Sequence, residues 1–230
     1  MILLTGAGSG LGKFLSKHLQ DVELFTRSSD IDKISNNKIE YDAIIHCAAS
    51  ISHASWNDVS YEYFDDNTIL TRNLLNIPHK KFIHISSIDI KRDSIYGIAK
   101  RISERIVASF SPSSLIIRPS GLIGNEMKMN TFRKIQAGQP IALTESSKMN
   151  YVNYSTILEV INQNSTGIVT VTASQDIAMS EIASLFNQQI DYGNIHYEMD
   201  ITEQDMQTRH GYNLEQTSED NIIHYIKHYE

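Results

Sequence analysis

The sequence has one cysteine, four prolines and one tryptophan in 230 residues. The lone Cys47 excludes an internal disulfide and favours a reducing compartment, so we expect a cytoplasmic protein. No apolar run approaches the ~20 residues that a transmembrane helix needs, and Met1 leads through a short apolar stretch into glycines rather than into a secretory signal. These absences argue against both membrane insertion and secretion.

Positive charge is also scarce. The chain carries 20 basic and 27 acidic residues, a formal net charge of −7. A nucleic-acid-binding surface requires a broad basic field, which this composition disfavours. With 41% hydrophobic residues, the chain is long enough for one large core, or for one main domain with a smaller lobe.

Short apolar segments alternate with segments of helical periodicity over the first half of the chain. This alternation predicts an α/β fold, a doubly wound parallel sheet of the Rossmann type with right-handed crossovers. The polar segment 28–40 reads as irregular, and Ile98, Ile102, Ile106 and Val107 mark the expected apolar face of helix 96–109. The strands are expected at 1–5, 22–26, 42–46, 81–85 and 114–118, with helices from Leu11 to Leu19, at 57–76 and at 96–109.

After residue 124, the alternation of strand and helix segments becomes less regular. Helices at 129–137 and 217–229 and a strand at 167–172 are expected there, together with a helix around Ile182 to Phe186. The predicted organisation is a dinucleotide-binding part, 1–124, and a small C-terminal substrate lobe, 125–230, packed on it.

Four glycines fall within seven residues, directly after the first strand, in Thr5-Gly6-Ala7-Gly8-Ser9-Gly10-Leu11-Gly12. Glycines here allow a tight turn and the approach of a pyrophosphate, and the following helix offers unpaired N–H groups and the positive end of its dipole. In this strand–turn–helix context the motif predicts NAD or NADP binding. The expected cofactor contacts in the turn are Gly6, Ser9, Gly10, Leu11 and Gly12.

The tip of the second strand usually selects the dinucleotide. An acid there binds the ribose 2′-hydroxyl of NAD, and an arginine accepts the 2′-phosphate of NADP. The strand ends Phe25-Thr26-Arg27-Ser28-Ser29 without an acid, so NADP is favoured over NAD through Arg27. The alternative is a solvated Arg27, with Asp30 or Asp32 binding the ribose.

Ser87 ends the fourth strand, and Tyr96 and Lys100 open the next helix. The i, i+4 spacing places the tyrosine and the lysine on one helical face. An adjacent ammonium stabilises a phenolate and makes a phenol a usable acid or base near neutral pH. Because the pair follows a serine at a strand end, we expect Ser87, Tyr96 and Lys100 to be catalytic.

These residues resemble the short-chain dehydrogenase/reductase superfamily, specifically its extended, nucleotide-sugar-modifying branch, over most of the chain. Asp42 to Ala49 resembles the strand that ends in His-x-Ala-Ala, and Ile117 to Gly124 resembles the Arg-Pro segment beside the nicotinamide. The resemblance implies that Ala48, Ala49, Pro119 and Ser120 lie along the cofactor. It also implies that Asn67 braces the central strands, that Ser87 is catalytic, that Tyr96 and Lys100 contact the cofactor, and that Tyr151 to Tyr154 belong to the substrate lobe.

The chain departs from the branch at several places. The glycine spacing matches the superfamily's classical form, Ser87 and Tyr96 are only nine residues apart, and segment 28–40 is too short for the usual helix and strand. The usual Arg-Asp of the lobe reads Met149-Asn150, and a later Asp reads Ser155-Thr156. Basic side chains that could instead meet a diphosphate, or simply be solvated charges, are Lys128, Arg133, Lys134 and Lys148.

The resulting hypothesis is an NAD(P)-dependent oxidoreductase that reduces a keto-sugar nucleotide. The alternatives are an epimerase or dehydratase that retains NAD, a dinucleotide sensor without catalysis and, with less support, a methyltransferase. We expect a small-molecule substrate, a homodimer formed through helices 57–76 and 96–109, and no metal, since His224 and His228 fit a surface helix better than a metal site. His53 and Trp56 are candidate substrate contacts.

Overall fold

The computed structural model describes residues 1–36, 39–50, 64–163, 165–199, 201 and 215–229. Twelve strands lie in these residues. The strands are β1 (Ile2–Thr5), β2 (Val22–Phe25), β3 (Ala43–His46), β4 (Phe82–Ile85), β5 (Leu115–Pro119), β6 (Gly121–Ile123), β7 (Ile141–Leu143), β8 (Lys148–Met149), β9 (Tyr151–Asn153), β10 (Gly167–Val171), β11 (Ile177–Ala178) and β12 (Tyr192–Ile195).

The helices that connect these strands are mostly short. Among the described residues, none combines the length and apolar character required to span a bilayer. A π-helical segment, Asp65–Ile69, precedes α3, and a 3₁₀ turn, Ile88–Lys91, precedes α4. The helices are α1 (Gly10–His18), α2 (Ile31–Asn36), α3 (Leu70–Leu74), α4 (Ile95–Phe110), α5 (Thr131–Gln136), α6 (Tyr154–Asn162), α7 (Met179–Leu185) and α8 (Ser218–Tyr229).

Six strands form one parallel sheet in the order β10-β5-β4-β3-β1-β2. The chain runs outward from β1 to β2 and then returns to add β3 on the other side of β1. This reversal creates a crevice beyond the carboxyl ends of β1 and β3, where ligands bind in open α/β sheets. The Rossmann-type fold expected from the alternation of strands and helices is confirmed.

Alternating strand residues build a core on each face of the sheet. Leu4, Ile45, Ile83 and Ile117 belong to one buried cluster, and their neighbours Leu3, Ile44, Phe82 and Ile116 belong to the other. Because both faces are covered, the strands read as continuous apolar runs. The first cluster extends into the C-terminal lobe, where it includes Phe132, Ile157 and Tyr225.

The described residues also form three two-stranded sheets outside the main sheet, β6–β9, β7–β12 and β8–β11, and all of their strands except β6 lie in the C-terminal part. The last helix, α8, is fastened to β9 by a buried hydrogen bond from Asn153 Nδ2 to Asn221 Oδ1 of 2.8 Å. On the same helix, the ring of Tyr225 packs edge-on against that of Phe132 of α5, with centroids 5.5 Å apart. These contacts hold elements of the C-terminal part together, and the apolar cluster that it shares with the strands places it against the main sheet.

Two local expectations are wrong. Segment 28–40 includes a regular helix, α2. On α4, Ile102 is 42% exposed, whereas Val107 is buried together with Ile95, Ala99, Lys100, Ser103 and Glu104. The buried face of α4 thus carries the polar residues as well, which the apolar periodicity alone does not reveal. Of the helix expected at 57–76, the part before residue 64 lies outside the described residues.

Candidate active site

The glycine turn after β1 has the backbone shape that its sequence predicts. Gly6 and Gly10 adopt φ values of +77° and +57°, which residues with a Cβ atom rarely adopt. A Cβ on Gly12 would overlap the carbonyl of Gly6, so this glycine lets α1 pack on the turn. A Cβ on Gly8 would meet nothing within 4 Å, which leaves open space over the turn for a ligand.

The amino terminus of α1 is crossed by the segment that follows β6, a contact that the sequence analysis missed. The backbone N–H of Gly10 donates to the carbonyl oxygen of Glu126 at 2.6 Å. The Glu126 carboxylate pairs with Lys13 Nζ at 2.8 Å and with Lys17, and these lysines hold the pKa of Glu126 below its usual value. An incoming phosphate would have to replace this carbonyl at Gly10.

The ends of β1 and β3 are joined by a buried polar chain. The Nδ1 atom of His46 lies 2.8 Å from Thr5 Oγ1, and its Nε2 atom lies 2.9 Å from Thr71 Oγ1. Burial lowers the pKa of His46 to about 3, so the ring is neutral. Thr5 Oγ1 also accepts the N–H of Ala48 at 3.0 Å, which fixes the loop that the resemblance places beside the cofactor.

Asn67 holds the same loop from the π-helical segment. Its amide accepts the N–H of Ser50 at 3.2 Å and donates to the Ser50 carbonyl at 3.1 Å. The backbone carbonyl of Asn67 accepts the hydroxyls of Thr71 and Ser103. Asn67 therefore braces the loop after β3 against α3 and α4.

Arg27 extends from the tip of β2 and is 93% exposed. Its guanidinium lies 3.2 Å from the Asp66 carboxylate. Beside it, the N–H of Thr26 is bound by Ser29 Oγ at 2.9 Å, and the Ser28 and Thr26 hydroxyls are 2.9 Å apart. Positive charge and hydroxyl groups are thus concentrated at the strand tip, but Asp66 partly offsets the charge.

Ser87 lies two residues beyond the end of β4 and caps the 3₁₀ turn. Its Oγ accepts the N–H of Asp89 at 3.1 Å. Because that bond uses only a lone pair, the hydroxyl hydrogen remains available to a substrate oxygen.

Tyr96 and Lys100 lie on consecutive turns of α4, with Lys100 Nζ 5.8 Å from the centroid of the tyrosine ring. The first turn of α4 is capped by Ser94, whose hydroxyl accepts the N–H of Gly97 at 3.0 Å. The lysine is 4% exposed and donates to the carbonyl of Ile85 at 2.8 Å. Burial lowers the pKa of Lys100 to about 8, opposed by the charge of Glu104 and by Cys47. Phenol and ammonium thus share one face of the helix, as the spacing predicts.

A buried ion pair supports the same region. Glu104 accepts two hydrogen bonds from Arg118 Nε, at 3.0 and 3.3 Å, and one from Nη2 at 2.7 Å. Glu104 also accepts the hydroxyl of Ser86 at 2.5 Å. The pair ties α4 to the ends of β4 and β5. The i, i+4 spacing of Lys100 and Glu104 was a signal that the sequence analysis did not use.

Pro119 ends β5 at the same edge of the sheet and Ser120 follows it, and both are buried. The N–H of Ser120 donates to the Val171 carbonyl at 3.0 Å. Within the described part of the chain, the buried hydroxyl of Ser120 has no hydrogen-bond partner.

Of the four basic residues considered as contacts of a substrate diphosphate, one is already hydrogen-bonded within the chain. Arg133 donates to Gln136 and to the Tyr225 hydroxyl, at 2.7 and 3.0 Å, so it serves the packing of α8. Lys128, Lys134 and Lys148 are exposed. His53 and Trp56 lie outside the described residues.

A sequence profile shows the family. The profile of the NAD-dependent epimerase/dehydratase family matches residues 2–152, which contain the glycine turn, Ser87, Tyr96 and Lys100. The chain belongs to this family. A comparison with curated protein sequences finds no significant match.

Solved structures share the fold of this epimerase/dehydratase family member over nearly its whole length. A dTDP-4-dehydrorhamnose reductase of Bacillus anthracis in complex with NADP is 18% identical, with a TM-score of 0.77 and 98% of each chain covered. The enzyme WbmG of Bordetella bronchiseptica with NAD and UDP is 13% identical, with a TM-score of 0.73 and coverage of 99% of this chain and 94% of that one. A dTDP-glucose 4,6-dehydratase of Bacillus anthracis with NAD is 13% identical, with a TM-score of 0.69 and coverage of 99% and 97%.

The buried ammonium of Lys100 leads to a prediction about stability. Its pKa of about 8 in the folded chain lies below the ordinary value of ~10.4, so between these values the unfolded chain binds more protons. The contribution of Lys100 to the free energy of unfolding therefore rises as the pH increases between these two pKa values. Between pH 7.5 and 9.5, the free energy of unfolding of the wild type should rise relative to that of Lys100→Met by on the order of 1 kcal/mol.

Denaturant unfolding of both proteins at the two pH values measures this difference, because the other titrating groups are shared. Parallel pH dependences of the two proteins would show that the lysine titrates normally.

Proposed function

We propose that this family member is an NADPH-dependent reductase of keto-sugar nucleotides, with Ser87, Tyr96 and Lys100 as its catalytic residues. The observation that carries the proposal is the buried Lys100 on the same helical face as Tyr96, next to the strand end that carries Ser87. This arrangement has the three groups that carbonyl reduction requires: a hydrogen-bond donor, a proton donor and a positive charge beside that donor.

The residues present fit a dinucleotide. The turn leaves open space over Gly8, and the amino terminus of α1 points its positive dipole end to that space. In the proposal, Gly6, Ser9, Gly10, Leu11 and Gly12 hold the pyrophosphate. The remaining proposed contacts are Ala48, Ala49, Pro119 and Ser120 along the cofactor, Asn67 as a brace, and Tyr96 and Lys100 at its nicotinamide end.

A bound nicotinamide supplies or accepts a hydride, and the chain supplies the rest. Ser87 donates its hydroxyl hydrogen to the substrate carbonyl oxygen, and this polarises the carbonyl. Tyr96 donates the proton that this oxygen gains. The Lys100 ammonium, fixed by Ile85, stabilises the negative charge that develops on the phenol oxygen.

The nucleotide-sugar substrate is supported by the family and by the ligands of proteins with the same fold, which include UDP in WbmG. We propose that residues 125–230 form the lobe that binds the sugar nucleotide and residues 1–124 the dinucleotide part. Exposed Lys128, Lys134 and Lys148 are the lobe's candidates for the substrate diphosphate.

The catalytic roles can be tested by turnover. Purified protein is incubated with NADPH and a panel of dTDP- and UDP-linked 4-keto sugars, and NADPH loss is followed by absorbance. We expect Tyr96→Phe to lower turnover by about 100-fold or more, since a positioned proton donor contributes ~10²–10⁴-fold. NADPH affinity should change little, because only a hydroxyl is removed.

Tyr192→Phe is the matched control, a tyrosine of β12 that pairs with Ile141 of β7, and should retain full turnover. Equal turnover of Tyr96→Phe and wild type would overturn the assignment. Dinucleotide that co-purifies with the protein, without net NADPH consumption, would instead support the epimerase or dehydratase alternative.

NADPH preference rests on Arg27 at the tip of β2. Arg27→Gln should weaken NADPH binding by about tenfold or more, because charge-assisted hydrogen bonds to the 2′-phosphate are lost, while NADH binding stays nearly unchanged. Asp66→Asn should act in the opposite direction, since it removes a carboxylate 3.2 Å from the guanidinium. Fluorescence titration of both variants with NADPH and NADH measures these changes. Similar losses for the two dinucleotides in Arg27→Gln would argue against a 2′-phosphate contact.

We also propose a homodimer through the outer face of α4 and the π-helical segment. Ile102, Phe110 and Ile69 are 42%, 67% and 43% exposed on these adjacent elements. Ile102, Ile106 and Phe110 line a shallow depression of about 360 Å³ that also includes Arg101, Arg105 and Ser109. Two such faces can pack against each other as a four-helix interface, which would bury the apolar side chains.

Sedimentation equilibrium tests the dimer. The wild type should sediment at twice the 26.0 kDa of one chain, and Phe110→Lys at one chain mass, because a third cation would be buried beside Arg101 and Arg105. Met129→Lys, a substitution at a similarly exposed apolar residue of the lobe, should remain dimeric. A monomeric wild type would exclude the dimer.

A further inference from the structure

The connection between Ser87 and Tyr96 is held from outside by the C-terminal lobe. The hydroxyl of Tyr197 lies 3.1 Å from Asp89 Oδ1, and Arg92 Nε lies 3.2 Å from the same carboxylate oxygen. The Arg92 guanidinium stacks 4.1 Å from the centroid of the Tyr197 ring, and its Nη2 donates to the Glu198 carbonyl. Two residues of the connection therefore contact two neighbouring residues of the lobe.

The charges in this cluster are balanced. Tyr197 is partly buried, and both its burial and the charge of Asp89 raise its pKa above the ordinary value. The hydroxyl thus stays protonated and donates a hydrogen bond to the carboxylate of Asp89. Asp89 and Arg92 are about one-third exposed, so the pair is shielded more than a surface ion pair, whose contribution is usually small.

Tyr197 is itself anchored in the lobe. Its N–H donates to the buried hydroxyl of Ser147 at 3.0 Å. Its carbonyl accepts the N–H of Lys148 at 2.8 Å, and Lys148 begins β8. A displacement of β8 would therefore carry Tyr197 with it.

The other end of the cluster reaches the catalytic side chains. The N–H of Asp89 donates to Ser87 Oγ. A Cβ added to Gly97 would overlap the carbonyl oxygens of Asp89 and Arg92, so the helical turn that carries Tyr96 packs directly on the connection. Arg101 of α4 also donates to the Ile90 and Arg92 carbonyls, at 2.6 and 3.2 Å.

We propose that Tyr197 is a positioning residue, which holds Asp89 and Arg92 and through them sets the Ser87 hydroxyl relative to Tyr96. In this proposal, the lobe and the connection between Ser87 and Tyr96 move together. The consequence for catalysis rests on the proposed function, whereas the contact between lobe and connection does not depend on it. The connection has only eight residues, 88–95, and it is held by contacts from the lobe as well as from α4.

Hydrogen–deuterium exchange of the full chain tests the contact without any substrate. In Tyr197→Phe, which keeps the ring under Arg92, the amides of residues 88–94 should exchange about five- to tenfold faster, as expected for the loss of one hydrogen bond to a charged group. Asp89→Ala removes the acceptor of the Tyr197 hydroxyl but keeps the backbone donor to Ser87, and it should show the same local increase. Tyr192→Phe, in the same lobe, should leave this segment unchanged.

Steady-state kinetics test the consequence. With the keto-sugar nucleotide and NADPH, Tyr197→Phe should lower kcat about five- to tenfold while KM for NADPH stays nearly constant, because the proposed pyrophosphate contacts lie in the glycine turn and not in the connection. Unchanged exchange in residues 88–94 of Tyr197→Phe would overturn the proposal. If the wild type turns over no substrate, the proposed function fails, but the exchange experiment still decides whether the lobe fastens the connection.

Discussion

The buried ammonium of Lys100 is the constraint on which the arrangement of the site depends. A charged group at 4% exposure must be matched by polar partners, because an unpaired buried charge is very costly. The Ile85 carbonyl at the end of β4 accepts its hydrogen bond, and the Glu104 carboxylate one turn further along the helix supplies opposite charge. Glu104 is in turn bound by Arg118 from β5. The lysine thus locks α4 onto the ends of two strands.

This constraint also explains why the apolar periodicity of α4 was misleading. Tyr96, Lys100 and Glu104 follow one another at i, i+4 spacing, so the face that meets the strand ends is partly polar. The apolar residue Ile102 is displaced to the outer face. A helix whose inner face carries polar and ion-paired residues departs from simple amphipathicity, and its sequence pattern then marks the wrong side as core. The same displacement leaves an apolar outer surface for a partner.

The sequence predicted what depends on local patterns. The strands of the parallel sheet are continuous apolar runs, the glycine turn is a contiguous motif, and Tyr96 and Lys100 are one helical turn apart. Contacts between distant segments could not be predicted in this way. Glu126 lies 116 residues after Gly10, and Tyr197 lies 108 residues after Asp89. Such contacts are created by the packing of the lobe, and single residues of ordinary type carry no periodic signal for them.

Two groups proposed to contact the dinucleotide are already bonded within the chain. The N–H of Gly10 is occupied by the Glu126 carbonyl, and Arg27 is paired with Asp66. Binding would therefore exchange protein partners for phosphate oxygens, and the net free energy is the difference between the two sets of bonds. An exchange of this kind limits affinity and keeps the vacated groups satisfied when the ligand leaves. These properties suit a dinucleotide that is released after each turnover, as in a reductase, better than one that stays bound through many turnovers, as in an epimerase.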